Sequence, residues 1–234
     1  YRQNRQRNNM RVVAPVGYTN AGKSTLTRAL SGADVLAEDK LFATLDPVTR
    51  RLRLPTGETV LLTDTVGFIQ KLPHDLVASF RATLEELEEA DLLLHVIDIA
   101  HPNAFEHTRT VEDTLTELGV GAKPALLVLN KVDLVRDEDG ASVESFDDAR
   151  DAIVSAGLPP PNVVLVAAEK RWGLDNLRQR IGPVYDSHRG LNRTLAPLNE
   201  LFYDPAAEAV ETKKVVKRAV GDATVERAVA GGDV

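Results

Sequence analysis

Cysteine is absent from the 234 residues. That excludes disulfides, a thiolate nucleophile and a cysteine zinc site, and it fits a cytoplasmic protein. Long apolar runs are absent too. Stretches such as Leu92 to Ile97 fall far short of the roughly 20 residues a membrane helix needs. The N-terminus is basic and polar with no apolar stretch behind it, so no signal peptide is visible and no membrane partner is expected. Positive charge is in deficit: 28 Lys and Arg stand against 35 Asp and Glu, a net charge of −7. A protein that coats nucleic acid is therefore disfavoured, although a local basic patch can still touch RNA phosphates. Internal repeats and low-complexity tracts are also lacking.

What is present suffices for a packed core. Hydrophobic residues make up 43% and charged residues 27%, which suits one sizeable α/β domain with a small appendage, or two small domains. Residues 1–11 are polar and basic and read as the end of an upstream helical linker. With Tyr1 in first place, a missing upstream domain is expected. From residue 12 the pattern repeats strand, loop, helix. Strands are expected at Val12 to Val16, Leu92 to Ile99, Ala125 to Leu129 and Val163 to Val166. A hairpin is expected from Arg51–Leu54 and Thr59–Thr63 around Pro55-Thr56-Gly57. Helices are expected at Lys23 to Leu30, Leu72 to Ala90, Thr108 to Leu118, Phe146 to Ser155 and Leu174 to Ile181. This alternation predicts an α/β fold, and the motif from Gly17 to Ser24 makes it one of the P-loop NTPase type. The sheet is mostly parallel, with one antiparallel edge strand and helices on both faces. The expected domain spans 12–185, and residues 186–234 form a short C-terminal element.

The chemistry sits at the strand ends. Gly17-Tyr18-Thr19-Asn20-Ala21-Gly22-Lys23-Ser24 fits G-x-x-x-x-G-K-[ST], with Thr25 next, between a buried strand and a helix start. Glycines let the backbone wrap phosphates, and the helix N-terminus adds its dipole. Lys23 would contact the β- and γ-phosphates and Ser24 would offer its hydroxyl to Mg²⁺. Asp64-Thr65-Val66-Gly67 follows an apolar run. There Asp64 would hold the Mg²⁺ shell and the Gly67 N–H would reach the γ-phosphate. Thr44 is favoured over Thr49 as the loop threonine that closes over Mg²⁺.

Asn130-Lys131-Val132-Asp133 follows the strand ending at Leu129. The Asp133 carboxylate accepts two hydrogen bonds, which suits the N1–H and amino group of guanine. Adenine presents no such pair, so an ATPase is disfavoured. Asn130 can fix the loop, and the Lys131 stem can cover the base. Ala167-Ala168-Glu169 is the expected place for a backbone N–H to the guanine O6. The nucleotide implied is GTP or GDP with Mg²⁺.

These residues resemble a known family. GYTNAGKSTL (17–26), LFATLDPVTR (41–50), DTVGFIQKLPHDLVASFRATLEE (64–86) and NKVD (130–133) are similar to the GTPase domain of HflX, a ribosome-associated GTPase of the Obg-related group. The resemblance covers about residues 10–182. It implies binding to the large ribosomal subunit, GTP hydrolysis stimulated by it, and splitting of stalled ribosomes in bacteria. It also implies an N-terminal domain that contacts ribosomal RNA, and it favours Thr44 as the switch threonine. A monomer is expected. The usual Ser-Ala of the fifth motif reads Ala167-Ala168 here. A backbone contact survives that change and a serine side-chain contact does not. The cluster Lys213, Lys214, Lys217 and Arg218 reads more readily as a solvated face than as an RNA contact.

A water-positioning glutamine would follow D-x-x-G, but Phe68 stands there, with Gln70 further on. Slow intrinsic turnover completed by a partner is expected. Arg50 and Arg81 carry no support as internal fingers. An alternative is a nucleotide-gated binding module of the Obg or Era type, acting in ribosome assembly, for which hydrolysis is only a reset. Asn20 raises a further idea, a K⁺ ion beside the phosphates. The plainer reading, that asparagine suits a tight loop, weighs more.

Overall fold

The computed structural model describes residues 10–32, 49–64, 87–137, 139–155 and 163–188. Thr44, Gly67, Phe68, Gln70, Arg81, the expected helix from Leu72 as far as residue 86, and the cluster Lys213, Lys214, Lys217 and Arg218 lie outside the described residues.

Among the described residues six strands are present: β1 (Val12–Val16), β2 (Thr49–Arg53), β3 (Thr59–Thr63), β4 (Leu92–Asp98), β5 (Ala125–Asn130) and β6 (Val163–Leu165). The helices bounded within the described residues are α1 (Lys23–Ser31), α2 (Ala104–Glu117), α3 (Phe146–Ser155) and α4 (Leu174–His188). The strands form one sheet in the order β2-β3-β1-β4-β5-β6. Every neighbouring pair is parallel except β2 with β3, which pair antiparallel from Thr49 opposite Thr63 to Arg53 opposite Thr59. The expected architecture is the observed one.

Residue pattern explains the order. β4 and β5 are buried on both faces, as central parallel strands under two helical layers must be. β2 reads Thr-Arg-Arg-Leu-Arg and buries only Leu52, and such charge on an edge strand discourages pairing with other chains. On one face Leu94, Val96, Leu126 and Val128 pack with Leu26 and Leu30 of α1 and Leu177 and Ile181 of α4. On the other, Val12, Ala14, Val16 and Leu93 meet Val111 and Leu115 of α2. Further along that face, Ile97, Leu127 and Leu129 meet Ala149 and Ile153 of α3.

Three boundaries differ from the sequence reading by more than one residue. Helix α2 begins at Ala104, not Thr108. Its buried stripe is Ala104, Thr108, Val111 and Leu115, and a small and a polar member hide the first turn of the period. Strand β2 begins at Thr49, since backbone pairing with β3 extends beyond the apolar residue that marks it. Helix α4 continues through Pro183 to His188. Proline's φ is itself helical, and although it removes one N–H and crowds the carbonyl four residues back, the helix continues past it. Among the described residues no helix is long and apolar enough to cross a membrane.

Candidate nucleotide-binding site

The parallel strands β1, β4 and β5 all end on one side of the sheet, and the loops that follow them meet there. The first is the loop after β1. Gly22, at φ 92°, ψ 23°, turns the chain into α1. A side chain at Gly22 would be driven into the Asn130 amide, and one at Gly17 into the Val96 carbonyl, so both positions need glycine for space and conformation. Helix α1 has no side-chain cap and no acidic residue in its first turn. Its N-terminal N–H groups and dipole are thus suited to an anion. Asn20 adopts a left-handed conformation, φ 61°, and is exposed. A short polar residue tolerates that geometry.

Lys23 is 5% exposed. Its ammonium donates to the carbonyl oxygens of Gly17 at 3.1 Å and Tyr18 at 2.9 Å, so the charge is held inside the loop. Burial pulls its pKa down to about 8, and the Asp64 carboxylate opposes that shift. Asp64 follows β3 and is itself buried. Ser24 and Asp64 supply a hydroxyl and a carboxylate, hard oxygen donors that suit Mg²⁺. Among the described residues no group of three or more His, Cys, Asp or Glu side chains could hold a metal. A Mg²⁺ held by Ser24 and Asp64 would keep water and phosphate oxygens in its shell, as this ion commonly does. Thr49, the competing switch threonine, lies in β2 with its hydroxyl 3.3 Å from that of Thr63. Arg50 is also in β2, paired with Leu62. Thr25 sits on α1 within 3.4 Å of the Arg28 guanidinium.

Asn130, the last residue of β5, is 2% exposed and joins three segments. Its Nδ2 donates to the Ala21 carbonyl at 2.8 Å, across 109 residues of chain. Its Oδ1 accepts from the Ala168 N–H at 3.1 Å. Lys131 then adopts a left-handed conformation, φ 63°. Val132–Leu134 forms a short 3₁₀ turn that carries a half-buried Asp133. The loop after β6 is closed by paired bonds between Ala167 and Trp172 and by the Val132 N–H to the Val166 carbonyl. Glu169 is exposed on this turn. The structure thus brings Gly17 to Ser24, Asp64, Asn130 to Asp133 and Ala167 to Glu169 to one end of the sheet.

Sequence reasoning missed two features. Asp98, the last residue of β4, forms an ion pair with Lys131, Oδ2 to Nζ 2.7 Å. The available signal was a carboxylate ending a buried strand that neighbours β5. The Tyr18 ring stacks on His107 of α2, centroids 3.7 Å apart and 5° between planes, with His101 tilted against it at 4.4 Å. No local pattern announced that contact. A cavity of about 230 Å³ opens beside these rings, lined by Tyr18, Asn20, His95, Asp98 and Lys131 among others. Buried His95 is held near pKa 3, first by burial and then by the Lys23 charge.

A glycine-rich loop on a helix N-terminus, a buried lysine within it, a carboxylate at the next strand end and an Asn-Lys-x-Asp loop define a P-loop GTPase domain. The profile described as "50S ribosome-binding GTPase" matches residues 12–131, and the chain belongs to that family. Among curated relatives, GTPase HflX of Caldanaerobacter subterraneus subsp. tengcongensis is 60% identical over 180 residues, covering 77% of this chain and 38% of the relative. GTPase HflX of Alkalihalophilus pseudofirmus is 60% identical over 133 residues, 57% of this chain and 31% of the relative. The chain thus spans about a third of the length of these relatives. Among solved structures, a GTP-binding protein from Sulfolobus solfataricus in complex with GDP matches with TM-score 0.55 at 26% identity, covering 80% of this chain and 56% of that one. Era in complex with MgGDPNP and a segment of 16S ribosomal RNA matches with TM-score 0.54 at 27% identity, covering 74% and 56%.

Proposed function

We propose that this domain binds GTP with Mg²⁺, hydrolyses it slowly on its own, and serves a protein that acts on the large ribosomal subunit, splitting or rescuing stalled ribosomes. The observation that carries the nucleotide part is the Asn130 bridge between Ala21 and Ala168. It fixes the phosphate loop, the base loop and the loop after β6 relative to one another. In this reading Lys23 neutralises β- and γ-phosphate charge, and Ser24 and Asp64 hold Mg²⁺ with Thr44. The Gly67 N–H senses the γ-phosphate. Asp133 accepts from the guanine N1–H and amino group, and the Lys131 stem covers the base. The Ala167 and Ala168 N–H groups already bond to Trp172 and Asn130. The contact to guanine O6 therefore falls to the Glu169 N–H, or to sharing of the Ala168 N–H. Because α4 runs unbroken to His188, the boundary expected after residue 185 is moved to the end of that helix, and the residues beyond it are read as an element outside the GTPase domain.

The ribosomal part rests on the family and on relatives named GTPase HflX. Phe68 in place of a glutamine supports a partner that completes the site, and it equally suits a binding module that uses hydrolysis as a reset. Phosphate release from GTP, with and without large ribosomal subunits, separates the two. Strong stimulation over many turnovers is expected, whereas a single round of hydrolysis followed by stable association favours the module. Matched K⁺ and Na⁺ salts in the same assay test the finer proposal that K⁺ assists beside Asn20. Equal rates in both salts leave Asn20 as a residue chosen for its left-handed backbone.

A further inference from the structure

Lys131 is assigned to cover the guanine plane, a role that needs its flexible four-carbon stem to stay in one direction. Free in solution, such a side chain samples many rotamers, and ordering it costs on the order of 2 kcal/mol. The protein answers this with two constraints. The left-handed backbone at Lys131, φ 63°, sets the direction in which the side chain leaves the loop. Asp98 then takes its far end, Oδ2 to Nζ 2.7 Å, with the Asp98 and Lys131 side chains 15% and 32% exposed.

Asp98 is itself fixed. Its Oδ1 accepts the Ala100 N–H at 3.1 Å, so both carboxylate oxygens are engaged and their orientation is set. Its backbone lies opposite Asn130 in the β4–β5 ladder, and the Ile99 N–H donates to the Asn130 carbonyl at 3.1 Å. The carboxylate is therefore one strand away from the residue that bridges the phosphate and base loops. The same ion pair borders the cavity that Tyr18 and Asn20 of the phosphate loop line. A partly buried pair with this geometry holds its partner better than an exposed one, which would be worth little.

We propose that Asp98 is a positioning residue for guanine-nucleotide retention. It pre-orders Lys131 so that the stem already lies in its base-covering direction when nucleotide arrives. This rests on the reading of Lys131 as the base-covering residue. Asp98 touches no part of the nucleotide in this account, and its effect runs through Lys131 alone. Pre-ordering of this kind tightens binding by removing an entropy cost, and it acts mostly on dissociation.

The test is a double-mutant cycle on the rate of release of a fluorescent GDP. The variants are Asp98→Asn, Lys131→Met and the two combined. Asn keeps the shape and the Oδ1 acceptor for Ala100, so the turn after β4 is preserved, and thermal unfolding without nucleotide reports any general damage. Asp98→Asn is expected to speed release by about five- to tenfold, Lys131→Met by at least as much, and the pair by no more than Lys131→Met alone. Independent, multiplying effects would overturn the proposal, as would a lowered melting point that accounts for the whole change. If Lys131→Met speeds release and Asp98→Asn does not, Asp98 loses its role while the base-site reading stands. If Lys131→Met itself leaves release unchanged, the reading of Lys131 fails and the proposal falls with it.

Discussion

At the scale of single residues, Lys23 and Asn130 carry the sharpest consequences. Burial holds the Lys23 ammonium near pKa 8, first by desolvation and then against the pull of Asp64. Phosphate charge beside it would raise that value. Between about pH 8 and the raised value, the bound form then holds a proton that the free form lacks. GDP binding is therefore expected to take up protons at pH 8.5. Its affinity should fall as pH rises above 8, with a slope approaching tenfold per pH unit. Calorimetric titration in buffers of different ionisation enthalpy measures the uptake, and a value of zero would show that Lys23 is already fully charged without nucleotide. Asn130→Ala leaves the Ala21 carbonyl and the Ala168 N–H without the side chain that both of them meet. A buried group deprived of its partner costs about 1–3 kcal/mol. This variant should lose melting temperature and GDP affinity together. Loss of affinity at unchanged stability would mean that the bridge does not brace the fold.

At the scale of elements, β4 joins the packing core to the site. His95 lies on the α2 side of this strand, 2% exposed, in a position where a wholly apolar strand would carry an aliphatic residue. Its folded pKa of about 3 lies below the ordinary 6.5. The unfolded chain thus binds this proton more readily than the folded one. The stability is present above pH 6.5 and is lost as pH falls from there toward 3, at about 1.4 kcal/mol per pH unit. Replacing His95 by Leu should flatten the acid limb of a urea-unfolding series between pH 6.5 and 4.5. An unchanged slope would assign the acid sensitivity to other groups.

The elements also mark what could be read in the sequence. β1, β4 and β5 declared themselves as apolar runs, because central parallel strands are buried on both faces. The hairpin declared itself through Pro55-Thr56-Gly57. The start of α2 did not, since Ala104 and Thr108 are buried without being strongly apolar. Motif residues were legible because phosphate and base chemistry fixes their spacing within one loop. Asp98 with Lys131 and Tyr18 with His107 were not, because each pair meets only after the sheet order has set β1, β4 and β5 side by side.

For the whole molecule, the central claim is a site that selects guanine nucleotides at one end of the sheet. The sheet places the phosphate loop after β1 and the base loop after β5, with β4 between them. Asn130 spans that interval directly. A polar site that pairs a carboxylate with two donors rejects a base lacking them strongly, because the carboxylate is then desolvated without partners. In the proposed reading, Asp133 is the group on which that rejection would depend. The most direct measurement is isothermal titration of this chain with GDP and with ADP in the presence of Mg²⁺, repeated for Asp133→Asn with xanthosine diphosphate. The account predicts that ADP binds at least about a thousandfold more weakly than GDP, and that Asp133→Asn exchanges preference for GDP for preference for xanthosine diphosphate. Comparable affinities for GDP and ADP in the unaltered chain would contradict it.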